Sequence, residues 1–178
     1  EDSAYINGVD SKNCYDSWFV TDSDSCYGST YISKCYKVLF STYSNNCIES
    51  SFLYNCTNCT HCFGCVNLKN KSYYIFNKPY SKEAYIQKIK ELNQEGAKSI
   101  ERVKKEFLEL RLRLPHRYAH VLNSVDATGE NINNTKNCKF CFETLGVENC
   151  RFVLFAGLNM TEGYDLYDAG TNASLLYE

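Results

Sequence analysis

No apolar run in this chain approaches the roughly 18 residues that would cross a bilayer as a helix, and no basic segment precedes an apolar one near the N-terminus. Neither a membrane span nor an export signal is therefore visible. Charge of one sign is equally scarce: 19 Lys and Arg oppose 21 Asp and Glu, a net of −2, which provides no field for nucleic acid or anionic lipid. Proline occurs only twice, and before residue 80 there is no amphipathic run of ten or more residues, which excludes a helical repeat there. What the chain has instead is 11 cysteines and 15 tyrosines in 178 residues. An odd cysteine count cannot form a complete internal disulfide framework. Together with the missing export signal it favours a cytoplasmic chain whose thiols stay reduced and pack as small apolar residues. The chain opens on Glu1 rather than methionine, so an upstream segment is expected to have been removed.

The cysteines carry a repeat. Cys14, Cys35 and Cys56 are spaced by 21, as are Cys26 and Cys47, and the same step leads on to Asn77 and Leu68. Stacking segments of that length puts Ser17 over Val38 over Cys59, Val20 over Ser41 over Cys62, and Ser23 over Ser44 over Cys65, all small or compact residues. Clusters such as "YIS", "VLF", "SFLY" and "YYIF" read as short strands. Asn7-Gly8, the stretches 22–25 and 44–46, and 67–72 read as polar corners. Asn13 and Asn55 fall in one column that Lys34 interrupts, where stacked amides would satisfy backbone groups. The expected fold is mainly β: a right-handed parallel β-solenoid of about 21 residues per coil.

From Ser81 the period changes. Tyr85, Ile86, Ile89 and Leu92, then Ile100, Val103, Phe107, Leu110 and Leu114, are spaced for two helices, with Ser81 as N-cap, Gly96 as break and Pro115 as stop. The second series follows the spacing of a helix face packed on a core. The expected organisation is solenoid over 1–80, a helical hairpin inserted over 81–120, and returning coils over 121–178, in one structural domain cut from a longer protein. "TKNCKFCF" at 135–142 echoes "SKNCYDSW" at 11–18, and Cys138, Cys141, Thr144, Val147 and Cys150 repeat the small columns. A further step of 21 reaches Asn159, Glu162, Asp165, Asp168 and Thr171, which cannot all face inward, so the register must slip or end there.

The passages "FLYNC", "CFGCVNLKNKSYYIFNKPYSKEAY", "LPHRYAH" and "ATGENINNTKNCKFCFE" resemble a group of uncharacterised cysteine-rich repeat proteins of small-genome bacteria. Members of that group commonly begin with a zinc-ribbon segment. The resemblance implies that this chain is the middle of a longer protein. The zinc-ribbon cysteine pairs have no counterpart here, and the group offers no activity to carry over.

The most suggestive chemistry is "CTNCTHCFGC", where Cys56, Cys59, Cys62 and Cys65 recur every third residue. That spacing suits a tetrahedral zinc site or an iron–sulfur cluster, although Val66 follows Cys65 where a ferredoxin run would continue differently. Three of the four stand in columns filled elsewhere by Ser or Val, so the expected reading is small filler, with no cofactor. Bridges Cys14–Cys35 or Cys26–Cys47 would span stacked coils about 4.8 Å apart, but parallel side-chain directions disfavour them. His61, His116 and His120 carry no nucleophile signature. Asp22 and Asp24 are a weak match to calcium-holding acidic pairs. The sequons at Asn55, Asn58, Asn70, Asn133, Asn159 and Asn172 follow from Asn- and Ser-rich turns.

The expected function is a non-enzymatic structural or interaction module, binding protein or its own kind through solenoid faces or ends, with carbohydrate as a possible ligand. The alternatives are an enzyme acting on polysaccharide along a β-helix groove, and a metal or redox protein using residues 56–65.

Overall fold

The computed structural model describes residues 4–94, 96–157, 159–170 and 172–177. The chain is mainly β with parallel pairing and two helices, and it divides into two compact units, Glu1–Pro115 and His116–Glu178. In the first unit the strands are β1 (Ala4–Val9), β2 (Tyr15–Thr21), β3 (Thr30–Ser33), β4 (Tyr36–Leu39), β5 (Thr42–Asn45), β6 (Ile48–Ser51), β7 (Thr60–Phe63), β8 (Ser72–Ile75) and β9 (Lys78–Pro79). They form two sheets, ordered β1-β2-β3-β5 and β4-β6-β7-β8-β9. Only the β8–β9 pair is antiparallel among them.

The pairing step is 12 residues, not 21. Trp18 lies beside Thr30 and Thr30 beside Thr42; Tyr36 lies beside Ile48 and Ile48 beside Thr60. Single bridges complete the remaining sides with the same step, as in Lys12 to Asp24 to Tyr36 and Tyr54 to Val66. Within each circuit the chain repeats a three-residue unit: an inward buried residue, an outward extended one, and a corner residue with φ near +50°. Cys14, Ser17, Val20 and Ser23 are inward and buried; Asp16, Phe19 and Asp22 are corners. Four such units make one coil.

The step of 21 is a multiple of three but not of twelve, which explains why it found inward positions yet stacked the wrong ones. Cys14 lies one coil before Cys26, while Cys35, Cys47 and Cys59 form a separate inward column. Asn13 and Asn55 are both corner residues, but on opposite corners: Asn13 Nδ2 donates to Asp24, and Asn55 Nδ2 donates to Asn67 Oδ1 at 2.7 Å.

Corner residues in the left-handed region strain any side chain bearing a Cβ, and Asn tolerates it best. The corners offset that strain by stacking. Asn46, Asn58 and Asn70 pass amide hydrogen bonds at 2.8 and 2.9 Å, and the rings of Phe19, Tyr31 and Tyr43 stack at 4.9 Å. At the end of these coils Asn77 imitates the missing next strand: its Oδ1 accepts from Val66 N at 2.8 Å and its Nδ2 donates to Val66 O at 2.9 Å.

The helices α1 (Lys82–Gln94) and α2 (Ala97–Arg113) follow. Ser81 Oγ accepts the Ala84 N–H at 3.2 Å, and Gly96 separates the pair at φ +62°. Leu92 and Val103 are buried against Phe52, with Phe40, Phe63, Phe76, Ile89 and Phe107 around them. Arg111 lies 3.9 Å from the centre of the Tyr54 ring. The helices thus cover one aromatic corner of the coils, while Ile100 stays 40% exposed.

The second unit holds β10 (Val121–Leu122), β11 (Val125–Asn133), β12 (Lys136–Leu145), β13 (Val147–Glu148), β14 (Arg151–Ala156), β15 (Met160–Ala169) and β16 (Ser174–Tyr177), joined in one parallel sheet system. Cys138, Cys141, Thr144, Val147 and Cys150 all face inward and are buried. Here the step varies: 11 between Val125 and Lys136, 12 between Lys139 and Arg151, 13 between Val153 and Leu166. The one-residue gain before Met160 puts Asn159, Glu162, Asp165 and Asp168 at corners with positive φ, so the register does slip at this point. Thr171 lies outside the described residues. The 11-to-12 change occurs at Gly129, whose φ is +146° and where an added Cβ would sit 1.6 Å from Cys141 O.

Candidate functional site

Cys56, Cys59, Cys62 and Cys65 occupy the four inward positions of a single coil, so the "CTNCTHCFGC" stretch lines one complete circuit of the interior. All four are 0% exposed. Each thiol is placed to donate to two carbonyls, one two residues back and one nine ahead. Cys56 Sγ lies 3.5 Å from Tyr54 O and 3.4 Å from Cys65 O; Cys65 Sγ lies 3.3 Å from Phe63 O and 3.5 Å from Tyr74 O. Cys59 and Cys62 make the equivalent contacts to Leu68 O and Lys71 O at 3.6 and 3.5 Å.

The backbone explains why these residue types are here. Outward N–H groups donate to the carbonyl eleven residues ahead, as Tyr36 N does to Cys47 O at 3.0 Å. Corner N–H groups donate thirteen back, as Asn58 N does to Asn45 O at 3.0 Å. The inward N–H is left facing the core, where an unpaired donor costs about 1–3 kcal/mol. Where the inward residue one coil earlier is a serine, its hydroxyl accepts it, and in the second unit a cysteine sulfur does so. Ser29 N, Ser41 N and Leu53 N donate in turn to Ser17, Ser29 and Ser41 Oγ at 3.2, 3.2 and 3.0 Å. Cys62 N donates to Ser50 Oγ at 3.0 Å, and Cys150 N to Cys138 Sγ at 3.3 Å. Inward Ser and Cys therefore act as volume filler and as acceptor together.

The thiols also touch one another. Hydrogen bonds from Cys47, Cys56 and Cys62 draw the Cys59 thiol below the ordinary range. Cys59 in turn pushes Cys56 and Cys62 up, and Cys47 is pushed up chiefly by Cys35. Cys35 and Cys65 are lowered likewise, by hydrogen bonds from Cys47 and Cys62. Among the described residues the buried polar side chains are Ser and Thr, so no cation lies in the core to hold a thiolate. Elsewhere burial pushes Cys26 up to about 12. All eleven cysteines are free. Among the described residues no group of three or more His, Cys, Asp or Glu side chains is arranged to hold a metal ion.

The other singled-out residues lie apart from the thiols. His61 is a corner residue stacked on Tyr73 at 5.1 Å, with Nδ1 3.4 Å from Glu49 Oε2. His120 Nδ1 lies 2.6 Å from Glu130 Oε1, and His116 is exposed. Asp22 is an exposed corner residue. Asp24 accepts from Asn13 and Ser25, and those bonds with the nearby Lys12 ammonium lower its carboxyl. The amides of Asn55, Asn58 and Asn159 are donors within corner ladders, to Asn67, Asn70 and Asn172. Asn70 accepts in that ladder, and Asn133 Oδ1 is buried without a partner. Of the residues with structural consequence, sequence reasoning missed the Asn46–Asn58–Asn70 ladder and the Asn77 cap. The spacing of twelve in that ladder was the available signal.

Compared with models of known protein families and with curated proteins, the chain matches none.

Proposed function

We propose that the chain is a non-enzymatic structural or interaction module built on a narrow right-handed parallel β-solenoid. The handedness follows the strong bias of parallel crossovers. The observation that carries the reading is the use of the inward Ser and Cys side chains: their oxygens and sulfurs bond the chain's own backbone, coil after coil, inside a core where the cysteines are at most 2% exposed. Nucleophile or ligand chemistry needs those groups free and reachable. The resemblance to cysteine-rich bacterial repeat proteins supports the repeat architecture alone and carries no activity. The partner surface is the outside of the coils, where stacked rings and amide ladders form regular stripes, or a coil end offered to a second copy of the chain.

The test is thiol reactivity toward a colorimetric disulfide reagent at neutral pH. The native protein should react slowly, with the full count of eleven released only on unfolding without reductant. Rapid reaction of Cys56, Cys59, Cys62 or Cys65 in the folded protein would turn the reading toward redox or metal chemistry. Turnover of an oligosaccharide panel would turn it toward the polysaccharide enzyme.

A further inference from the structure

We propose that the space between the helical pair and the aromatic corner of the first unit binds a small monocyclic aromatic molecule. Phe40, Phe52 and Phe63 line it on the coil side, and Leu92, Ile100 and Val103 line it from the helices. Its volume is 190 Å³. An apolar cavity of about 150 Å³ stays dry and takes up benzene, so this one accommodates a single ring with a small substituent. It is too small for a nucleotide or an oligosaccharide, whose sites run to about 300 Å³ and above.

The floor cannot close over the gap. Phe40 and Phe52 stack at 5.1 Å on successive coils, a spacing set by the strand ladder beneath them, and Phe52 is wedged edge-on against Phe63 and Phe107. Sliding one ring inward would require the ladder to break. Leu39 and Ile100, 37% and 40% exposed, mark the mouth, whereas Phe52 and Val103 at 7% and 3% form the closed end. The lining also includes Ser51, Asn93 and Ser99. Ser99 Oγ already donates to Gly96 O at 2.7 Å, so its oxygen is left to accept. A ring carrying one hydroxyl donor matches that lining, and phenol is the simplest probe.

Titration of the full chain with phenol, followed by methyl and aromatic NMR, should give a saturable one-to-one shift at Val103, Leu92 and Phe52. Val103→Phe places a ring in the closed end and should abolish that saturable shift. Ile100→Trp covers the mouth from an exposed position and decides the matter if Val103→Phe fails to fold. It should weaken phenol binding at least tenfold. The absence of a saturable shift up to the solubility of phenol would overturn the site, as would unchanged binding by folded Val103→Phe or by Ile100→Trp. The module reading rests on the inward columns and survives either result.

Discussion

The amide N–H of Leu53 donates to the hydroxyl of Ser41, twelve residues earlier, at 3.0 Å, while that hydroxyl donates to Leu39 O at 2.9 Å. One side chain thus joins two coils by standing in for a backbone acceptor that the three-residue unit cannot supply. Ser41→Ala should cost about 1–3 kcal/mol, because it orphans a buried donor. Ser41→Cys keeps a weak acceptor at nearly the same place and should cost less. Urea denaturation of the two variants measures the difference, and equal costs would mean that the hydroxyl is filler alone.

Thiol burial makes the fold sensitive to alkali. The Cys26 thiol rises from an ordinary value near 9 to about 12 on folding, with desolvation as the leading cause. The folded state therefore holds its proton more tightly than the unfolded state. Its contribution is fully present below pH 9 and is lost as pH rises toward about 12. Each such thiol lowers stability by about 1.4 kcal/mol per pH unit in that window. Chemical denaturation at pH 7, 8 and 10 should show a nearly flat response between the first two and a steep loss after them. A stability that is level to pH 10.5 would show the thiols to be solvated.

The three-residue phase was legible in the sequence, and the coil length was not. Inward positions accept Cys, Ser, Val, Ile or Leu on any of four sides, so their identities carry the phase of three and nothing about which side a residue occupies. A spacing of 21 satisfied that phase by accident. The corners are more discriminating, because rings stack on rings and amides bond amides: Asn46, Asn58 and Asn70, or Tyr31 and Tyr43, recur at the true step of twelve. The two helices were legible because their apolar spacing and their breaks at Gly96 and Pro115 are local features. The slip before Met160 could be anticipated from acidic residues that could not face inward, although its size could not.

Gly129 is the point at which the second unit changes its step from 11 to 12, and no other residue fits. At φ +146° an L side chain is strained, and its Cβ would overlap Cys141 O. Backbone cannot swing aside as a side-chain tip does. Gly129→Ala should cost about 4 kcal/mol or more, the range reserved for outright steric conflict. Hydrogen exchange read by peptide should show protection lost across residues 125–156, including β12 and β14, while β2 to β7 keep theirs. Unchanged protection in β12 would refute the clash.

Asn58 separates the two things that an amide does at a corner. It sits at φ +54°, accepts from Asn46 Nδ2 at 2.8 Å and donates to Asn70 Oδ1 at 2.9 Å. Asn58→Gly removes both bonds but relieves the left-handed conformation, whereas Asn58→Ala removes both and keeps the strain. If the ladder matters more, the two variants should lose similar stability, about 1 kcal/mol for a pair of exposed amide bonds. If strain matters more, Gly should equal or exceed the natural residue and Ala should fall below it by about 1 kcal/mol. The corners also hold Phe, Tyr, Lys and Glu at the same positive φ, residues with no special tolerance for it, so stacking must be what compensates. The expected order is therefore natural residue above Gly, and Gly above Ala, with the Gly variant losing less than half of what Ala loses. Melting curves of the three proteins give that order directly, and a Gly variant more stable than the natural chain would leave the amide ladder without a stabilising role.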